Sequence, residues 1–89
     1  MDEVVVHPRI CERHPNLAKE DVLDAWMACI RAVPRLDRNP NEYIAIGSDM
    51  SGRLIEMIAQ HSASGTWIIF HAFTPPTMKA LRELGLVRR

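Results

Sequence analysis

The stretch from Tyr43 to Thr74 contains three strand-like segments joined by two short turns. Apolar, β-branched and aromatic residues dominate the segments, and the turns between them contain Gly52 and Gly65. Connections this short join antiparallel neighbours, because a parallel pair needs a crossover of about a dozen residues or more. The sequence therefore predicts an antiparallel meander at the centre of the molecule.

Two helices are predicted before this meander and one after it. The first covers residues 7–15, between two prolines that suit a helix start and a helix end. The second runs from Ala18 to Ala32, because apolar residues recur three and four positions apart, and it ends at Pro34. The third runs from Thr77 to Leu84, with a helix-closing glycine at Gly85.

The remaining segments complete the predicted architecture. Met1 to Val6 is a short extended lead-in, since valine favours strands. Arg35 to Arg38 adds a short edge strand. The predicted fold class is α+β: two N-terminal helices, an antiparallel meander of three to four strands, and one C-terminal helix, with the helices on one face of the sheet. The chain of 89 residues is long enough for one domain, residues 1–89.

Composition gives no signal of a nucleic-acid or membrane partner. The net charge is zero with neutral histidines, and no apolar run approaches the about 20 residues of a membrane span. The two cysteines are too few for a disulfide framework or a zinc ribbon, and no Gly-rich phosphate loop is present. We expect a cytoplasmic protein that needs no metal and no cofactor.

Glu56 and His71 interrupt otherwise apolar strands. Burying a charge without a partner is costly, so each residue needs one. If the two strands pair symmetrically about the turn between them, Glu56 and His71 lie directly opposite each other. A carboxylate beside an imidazole fixes the orientation of the ring, and such a pair serves as a general acid/base. A purely structural cross-strand pair is the alternative.

Basic residues and a second histidine are the other candidates. His14, next to Arg13 on the first helix, either reaches the sheet face or is a surface histidine. Arg53, at the start of a strand, binds a phosphate or caps the strand end. The last helix and the tail carry a modest basic patch made of Lys79, Arg82, Arg88 and Arg89. This patch either contacts RNA or is a solvated surface.

Four stretches carry a resemblance to a known family: HPRICERH, KEDVLDAWMACI, YIAIGSDMSGRLIEMI and IIFHAFTPPTMKAL. They resemble the BrnT toxins, especially small actinobacterial relatives, which share a histidine-bearing first helix, an acidic start to the second helix and a final strand that enters His-Ala. The resemblance covers nearly the whole chain. It implies a RelE-like fold and the toxin of a type II toxin–antitoxin pair, which cleaves RNA without a metal and is bound by a DNA-binding antitoxin.

The resemblance implies that Arg13, His14, Arg53, Glu56 and His71 lie on or near the active face. We therefore predict His71, Glu56 and His14 as catalytic residues and Arg13 and Arg53 as RNA-binding residues, to which the basic patch adds Lys79 and Arg82. Typical BrnT chains are basic and enter the last helix through an arginine-rich run, whereas this chain is neutral and reads HAFT at that place. The alternative function is a non-catalytic interaction module, or a degenerate toxin, that forms a homodimer or binds a partner protein.

Overall fold

The computed structural model describes residues 3–87, which form a sheet of five strands and three short helices. The fold is small, compact and of the α+β class. In chain order the elements are β1 (Val4–Val6), α1 (Arg9–Arg13), α2 (Lys19–Met27), β2 (Cys29–Arg35), β3 (Asn39–Ser48), β4 (Leu54–His61), β5 (Trp67–Phe73) and α3 (Met78–Glu83).

The strands are arranged in the order β1-β5-β4-β3-β2, and the sheet is mixed. Strands β2 to β5 are antiparallel neighbours, but β1 runs parallel to β5, with Val4 beside Trp67 and Val6 beside Ile69. The predicted architecture of two N-terminal helices, a three- to four-stranded antiparallel meander and one C-terminal helix is therefore wrong. The N-terminal valines add one strand to the sheet, and a segment assigned to the second helix adds another.

The predicted helix from Ala18 to Ala32 is wrong in its second half. Helix α2 ends at Met27, and the following residues pair with β3, with Val33 opposite Ile44. Pro34 disfavours a helical conformation at the residue before it, which supports an extended backbone there. It also lies on the outermost strand, where a missing N–H is tolerated.

Two smaller predictions about extended segments have different outcomes. The edge strand predicted at Arg35 to Arg38 is wrong, because β2 ends at Arg35 and the N–H of Arg38 donates to the carbonyl of Arg35 across a turn, at 2.9 Å. The extended lead-in forms β1 at Val4–Val6. Met1 and Asp2 of that prediction lie outside the described residues.

Helix α3 is capped at both ends, and the glycine predicted to close it lies at its C-terminal end. The hydroxyl of Thr77 accepts the N–H of Ala80 at 3.1 Å and caps the N-terminus. At the other end Gly85 has a φ of +73°, and the N–H of Leu86 reaches the carbonyl of Leu81 at 2.9 Å. These contacts form a Schellman motif. No helix in residues 3–87 has the length and apolar character needed to cross a membrane.

The helices cover both faces of the sheet, whereas the sequence predicted one face. Side chains alternate along β4, so that Ile55 and Met57 point to one face while Ile58 points to the other. Helices α1 and α2 pack on the first face and α3 on the second. The two cores contain, on the first face, Leu17, Val22, Ala25, Ile55, Met57 and Ile69, and on the second, Ile44, Ile46, Ala80 and Leu84.

Helix α2 and strand β3 come into close backbone contact at Gly47. A Cβ atom built on Gly47 would lie 1.8 Å from the carbonyl oxygen of Ala25 and 2.7 Å from its carbonyl carbon. No side-chain atom fits between the helix and the strand at this point. A glycine at position 47 therefore lets α2 pack directly on the sheet.

Candidate functional site

Glu56 and His71 meet on the face of the sheet that α3 covers. Nε2 of His71 lies 2.8 Å from Oε2 of Glu56. The carboxylate is 7% exposed and the imidazole 37% exposed, so His71 is the solvent-facing member. The residues are not directly opposite each other, because Glu56 pairs with Phe73 and His71 pairs with Ile58. They meet diagonally across the two strands, and the predicted register is wrong by two residues.

A β-bulge in β5 changes this register. His71 pairs with Ile58 of β4, and Ile69 pairs with the next residue of β4, Ala59. Phe70 therefore has no opposite residue. Ile69 and Ala72 are both buried in the core beneath α1 and α2. Two residues, Phe70 and His71, thus occupy the place that one residue has in a regular strand. Nothing in the run WIIFHAF distinguishes this arrangement from a regular strand.

Hydrogen bonds keep the carboxylate of Glu56 ionised. Its Oε1 accepts the backbone N–H of Thr77 at 2.6 Å, and its Oε2 contacts His71. Burial raises the pKa of Glu56, but the hydrogen bonds from Thr77 and His71 outweigh burial and lower this pKa below its ordinary value. An ionised carboxylate can only accept, so Nε2 of His71 carries the shared proton. Nδ1 is then the nitrogen that can take up a proton from a substrate.

A cleft of about 220 Å³ lies on one side of His71, between α3 and the sheet. Lys79 lines this cleft together with the carboxylate of Glu56. The far wall contains Arg35, which is bound to Glu83 on α3. Lys79 is exposed and forms no ion pair within residues 3–87, so its ammonium group can bind a phosphate.

A smaller cavity of about 30 Å³ lies on the other side of His71, against α1. It brings His14, Arg13 and Arg9 close to His71. The ring of His14 packs edge-on against Phe73, with 5.2 Å between the ring centroids. Both arginines are exposed, and neither forms an ion pair in the part of the chain that the structure describes. His71 thus lies between two cavities that both carry cationic side chains.

Arg53 is not part of this site. Its Nε donates to Oδ2 of Asp49 at 2.7 Å, its Nη2 to Oδ2 of Asp21 at 3.1 Å, and its Nη1 to the carbonyl of Asn16 at 2.9 Å. Desolvation raises the pKa of Asp49, but hydrogen bonds from Arg53 and Ser51 outweigh it and hold this pKa at about 2. The guanidinium group joins the β3–β4 turn to the start of α2. This placement does not support the predicted contact of Arg53 with RNA.

The other predicted RNA-binding residues also differ in their positions. Arg13 and Lys79 line the two cavities beside His71. Arg82 is exposed on α3 and lines neither of these cavities. Arg88 and Arg89 lie outside the described residues.

Sequence reasoning missed two arginines near the site. Arg9 lies one helical turn before Arg13 on α1, and this i, i+4 spacing was the signal that could have identified it. Arg35 donates from Nε to Glu83 at 2.6 Å and from Nη1 to Glu42 at 2.8 Å. It fixes α3 to the β2–β3 hairpin and thereby sets one wall of the cleft. No local pattern indicates this contact, because Glu83 is distant in sequence.

A second surface lies on the opposite face, where the sheet extends beyond α2. Trp67 is the centre of an aromatic groove of about 330 Å³, with ring centroids 5.3 Å from Trp26 and 5.1 Å from Tyr43. Met27, at the end of α2, is 81% exposed, and Ile30, on β2, is 60% exposed. Strand β2 is the outermost strand on this side of the sheet.

In comparisons with known proteins, no family model, no curated protein and no solved structure matches the chain. The resemblance to BrnT toxins stays a prediction from the sequence. Among residues 3–87, the structure brings together no group of three or more His, Cys, Asp or Glu side chains suited to a metal ion.

Proposed function

We propose that this chain is a BrnT-like toxin that cleaves RNA in the cytoplasm by general acid–base catalysis without a metal ion. The position of His71 supports this proposal: its half-exposed ring is held by the ionised Glu56 and lies between two cavities that carry cationic side chains. Arg13 and Lys79 are suited to bind phosphate groups. His14 supplies a second imidazole at the same place.

The proposed reaction is an attack of the RNA 2′-hydroxyl on the adjacent phosphorus. Nδ1 of His71 takes the proton of the 2′-hydroxyl, and the 2′-oxygen forms the new bond to phosphorus. The bond from phosphorus to the 5′-oxygen breaks, and His14 donates a proton to this leaving oxygen. The products are a 2′,3′-cyclic phosphate and a 5′-hydroxyl. Glu56 stabilises the imidazolium that forms on His71, and Arg13 stabilises the negative charge on the non-bridging oxygens of the phosphate.

The test is cleavage of a fluorogenic RNA oligonucleotide by the purified protein in the presence of EDTA. His71→Ala and His14→Ala should each lower kcat by about 100-fold or more, because each removes one proton transfer. His61→Ala is the matched control, since His61 lies at the opposite end of β4 from Glu56. Circular dichroism and thermal unfolding must show that all three variants are folded.

Two outcomes would overturn the proposal. One is a folded wild-type protein that cleaves neither the oligonucleotide nor total cellular RNA. The other is cleavage that His71→Ala leaves at the level of His61→Ala. In cells, expression of the wild type alone should arrest growth with loss of RNA, and His71→Ala should remove both effects. Co-expression of a DNA-binding antitoxin encoded next to the gene should restore growth.

A second candidate function is a non-catalytic module that pairs with another copy of this chain. The exposed side chains of Met27 and Ile30, next to the open edge of β2, favour this alternative. Sedimentation of the wild type as a dimer, and of Met27→Ser/Ile30→Ser as a monomer, would support it. Met50→Ser is the control, because Met50 is 87% exposed in a different turn.

A further inference from the structure

Phe70 is exposed beside the candidate catalytic histidine. Its side chain is 41% exposed. Phe70 and His71 are neighbours on β5, and the residues on either side of them, Ile69 and Ala72, are buried. Leaving an aromatic ring in water has a cost in free energy. The bulge of β5 places Phe70 and His71 side by side between these two buried residues.

The surroundings of Phe70 are cationic. Phe70 lines the same small cavity as Arg9, Arg13, His14 and His71. Neither arginine is bound to a carboxylate within residues 3–87, and both are exposed. An exposed aromatic ring between free cations is the arrangement with which proteins bind single-stranded nucleic acid, since the ring stacks on a base while the cations bind the phosphates.

Strand β1 does not extend along β5 as far as Phe70. Strand β1 ends with Val6 opposite Ile69, so residues 70–73 have no strand on that side in the part of the chain that the structure describes. Helix α1 follows β1 in the chain and brings Arg9 and Arg13 to the small cavity that Phe70 and His71 also line. Phe70 is 41% exposed and the ring of His71 is 37% exposed, so a single strand of RNA can contact both residues.

We propose that Phe70 stacks on the RNA base adjacent to the phosphate that is cleaved, so that the site selects unpaired bases. This inference rests on the proposed ribonuclease function. In a duplex each base is already stacked and paired, so its face is not open to Phe70. Phe70 acts here as a specificity-determining residue, while His71 and His14 transfer the protons.

The test measures binding without cleavage, in the His71→Ala background. A single-stranded RNA with one 2-aminopurine reports stacking by loss of fluorescence, and anisotropy of a labelled copy reports affinity. Adding Phe70→Ala should weaken binding about 5- to 150-fold and abolish the fluorescence loss. Phe70→Leu should behave like Phe70→Ala, because leucine keeps apolar volume but has no ring face. Phe70→Trp should keep both signals.

Ile68→Ala is the matched control, because Ile68 is a 38% exposed apolar residue of β5 that does not line the cavity. Affinity should be unchanged in this variant. The stacking inference would be overturned if Phe70→Ala and Ile68→Ala weaken RNA binding equally, or if Phe70→Leu keeps full affinity. In either case, cleavage by the wild type would still support the ribonuclease function. Absence of both wild-type cleavage and RNA binding would overturn both. A loss of duplex binding as large as the loss of single-strand binding would also contradict the inference.

Discussion

Replacing Gly47 with alanine should destabilise the protein more than replacing Gly52 with alanine, although each change adds one methyl group. The new Cβ would lie 1.8 Å from the carbonyl oxygen of Ala25, whereas real Cβ contacts are essentially never shorter than 3.0 Å. The helix and the strand must therefore separate by more than 1 Å. The clash is with backbone, so no side-chain rotation relieves it, and the separation loosens the packing of Val22 and Ala25 on the sheet.

The size of the effect follows from known costs of overpacking. Inserting a methyl group into a well-packed core costs about 1–3 kcal/mol and occasionally more, and a backbone clash belongs at the upper end. We expect a loss of about 3 kcal/mol or more, against a total stability of about 4–13 kcal/mol for a chain of this length. A loss of that size lowers Tm by about 12–24 °C.

Urea unfolding followed by circular dichroism measures the loss, and differential scanning calorimetry measures Tm. Gly52→Ala is the control: Gly52 has a φ of +89°, but no atom lies within 4 Å of a Cβ built there. It should cost about 1–2 kcal/mol from backbone strain alone. If Gly47→Ala costs no more than Gly52→Ala, α2 does not pack on β3 at the distance described, and the reasoning is refuted.

Two further predictions concern charged side chains that form ion pairs. Asp49 has a pKa of about 2 rather than 3.8, so its stabilising effect is complete above about pH 4 and is lost as the pH falls through 2. Asp49→Asn should therefore be less stable than the wild type in urea at pH 6, with the difference shrinking towards pH 2; a constant difference would contradict this. Arg35→Leu leaves Glu42 and Glu83 without their common partner and should cost about 1–3 kcal/mol. The exposed Arg38→Leu should be nearly neutral, and equal losses in the two variants would show that the ion pairs contribute nothing.

The sequence predicts well those features that depend on neighbouring residues. Short glycine-containing turns indicated the antiparallel neighbours β3, β4 and β5. Helix α3 was predicted from the prolines before it and from the glycine at its end. The contact between Glu56 and His71 was expected because a buried carboxylate needs a partner. Each of these predictions needs only a few consecutive residues or one pair of adjacent strands.

The features that the sequence failed to predict depend on distant contacts. The segment that became β2 has apolar residues at helical spacing, but pairing with β3 outweighs that local preference. Val4 to Val6 joins the sheet through β5, a contact without any local signal. The bulge at Phe70 shifts the register because Ile69 and Ala72 must both reach the same core. Arg53 was predicted to bind RNA. The sequence does not show its ion pairs, because Asp49 and Asp21 come together around it only in the folded chain.

The parallel pairing of β1 with β5 has a consequence for the order in which the molecule is completed. Ribosomes make the N-terminal valines first, yet these residues find their neighbours only after Trp67 to Ile69 have been made. His71 lies on that late strand, and Thr77, which holds Glu56, follows it. Contacts so far apart in sequence also form slowly. A nascent chain therefore cannot complete the sheet, or the contact between Glu56 and His71 that Thr77 supports, until all of these residues have been made.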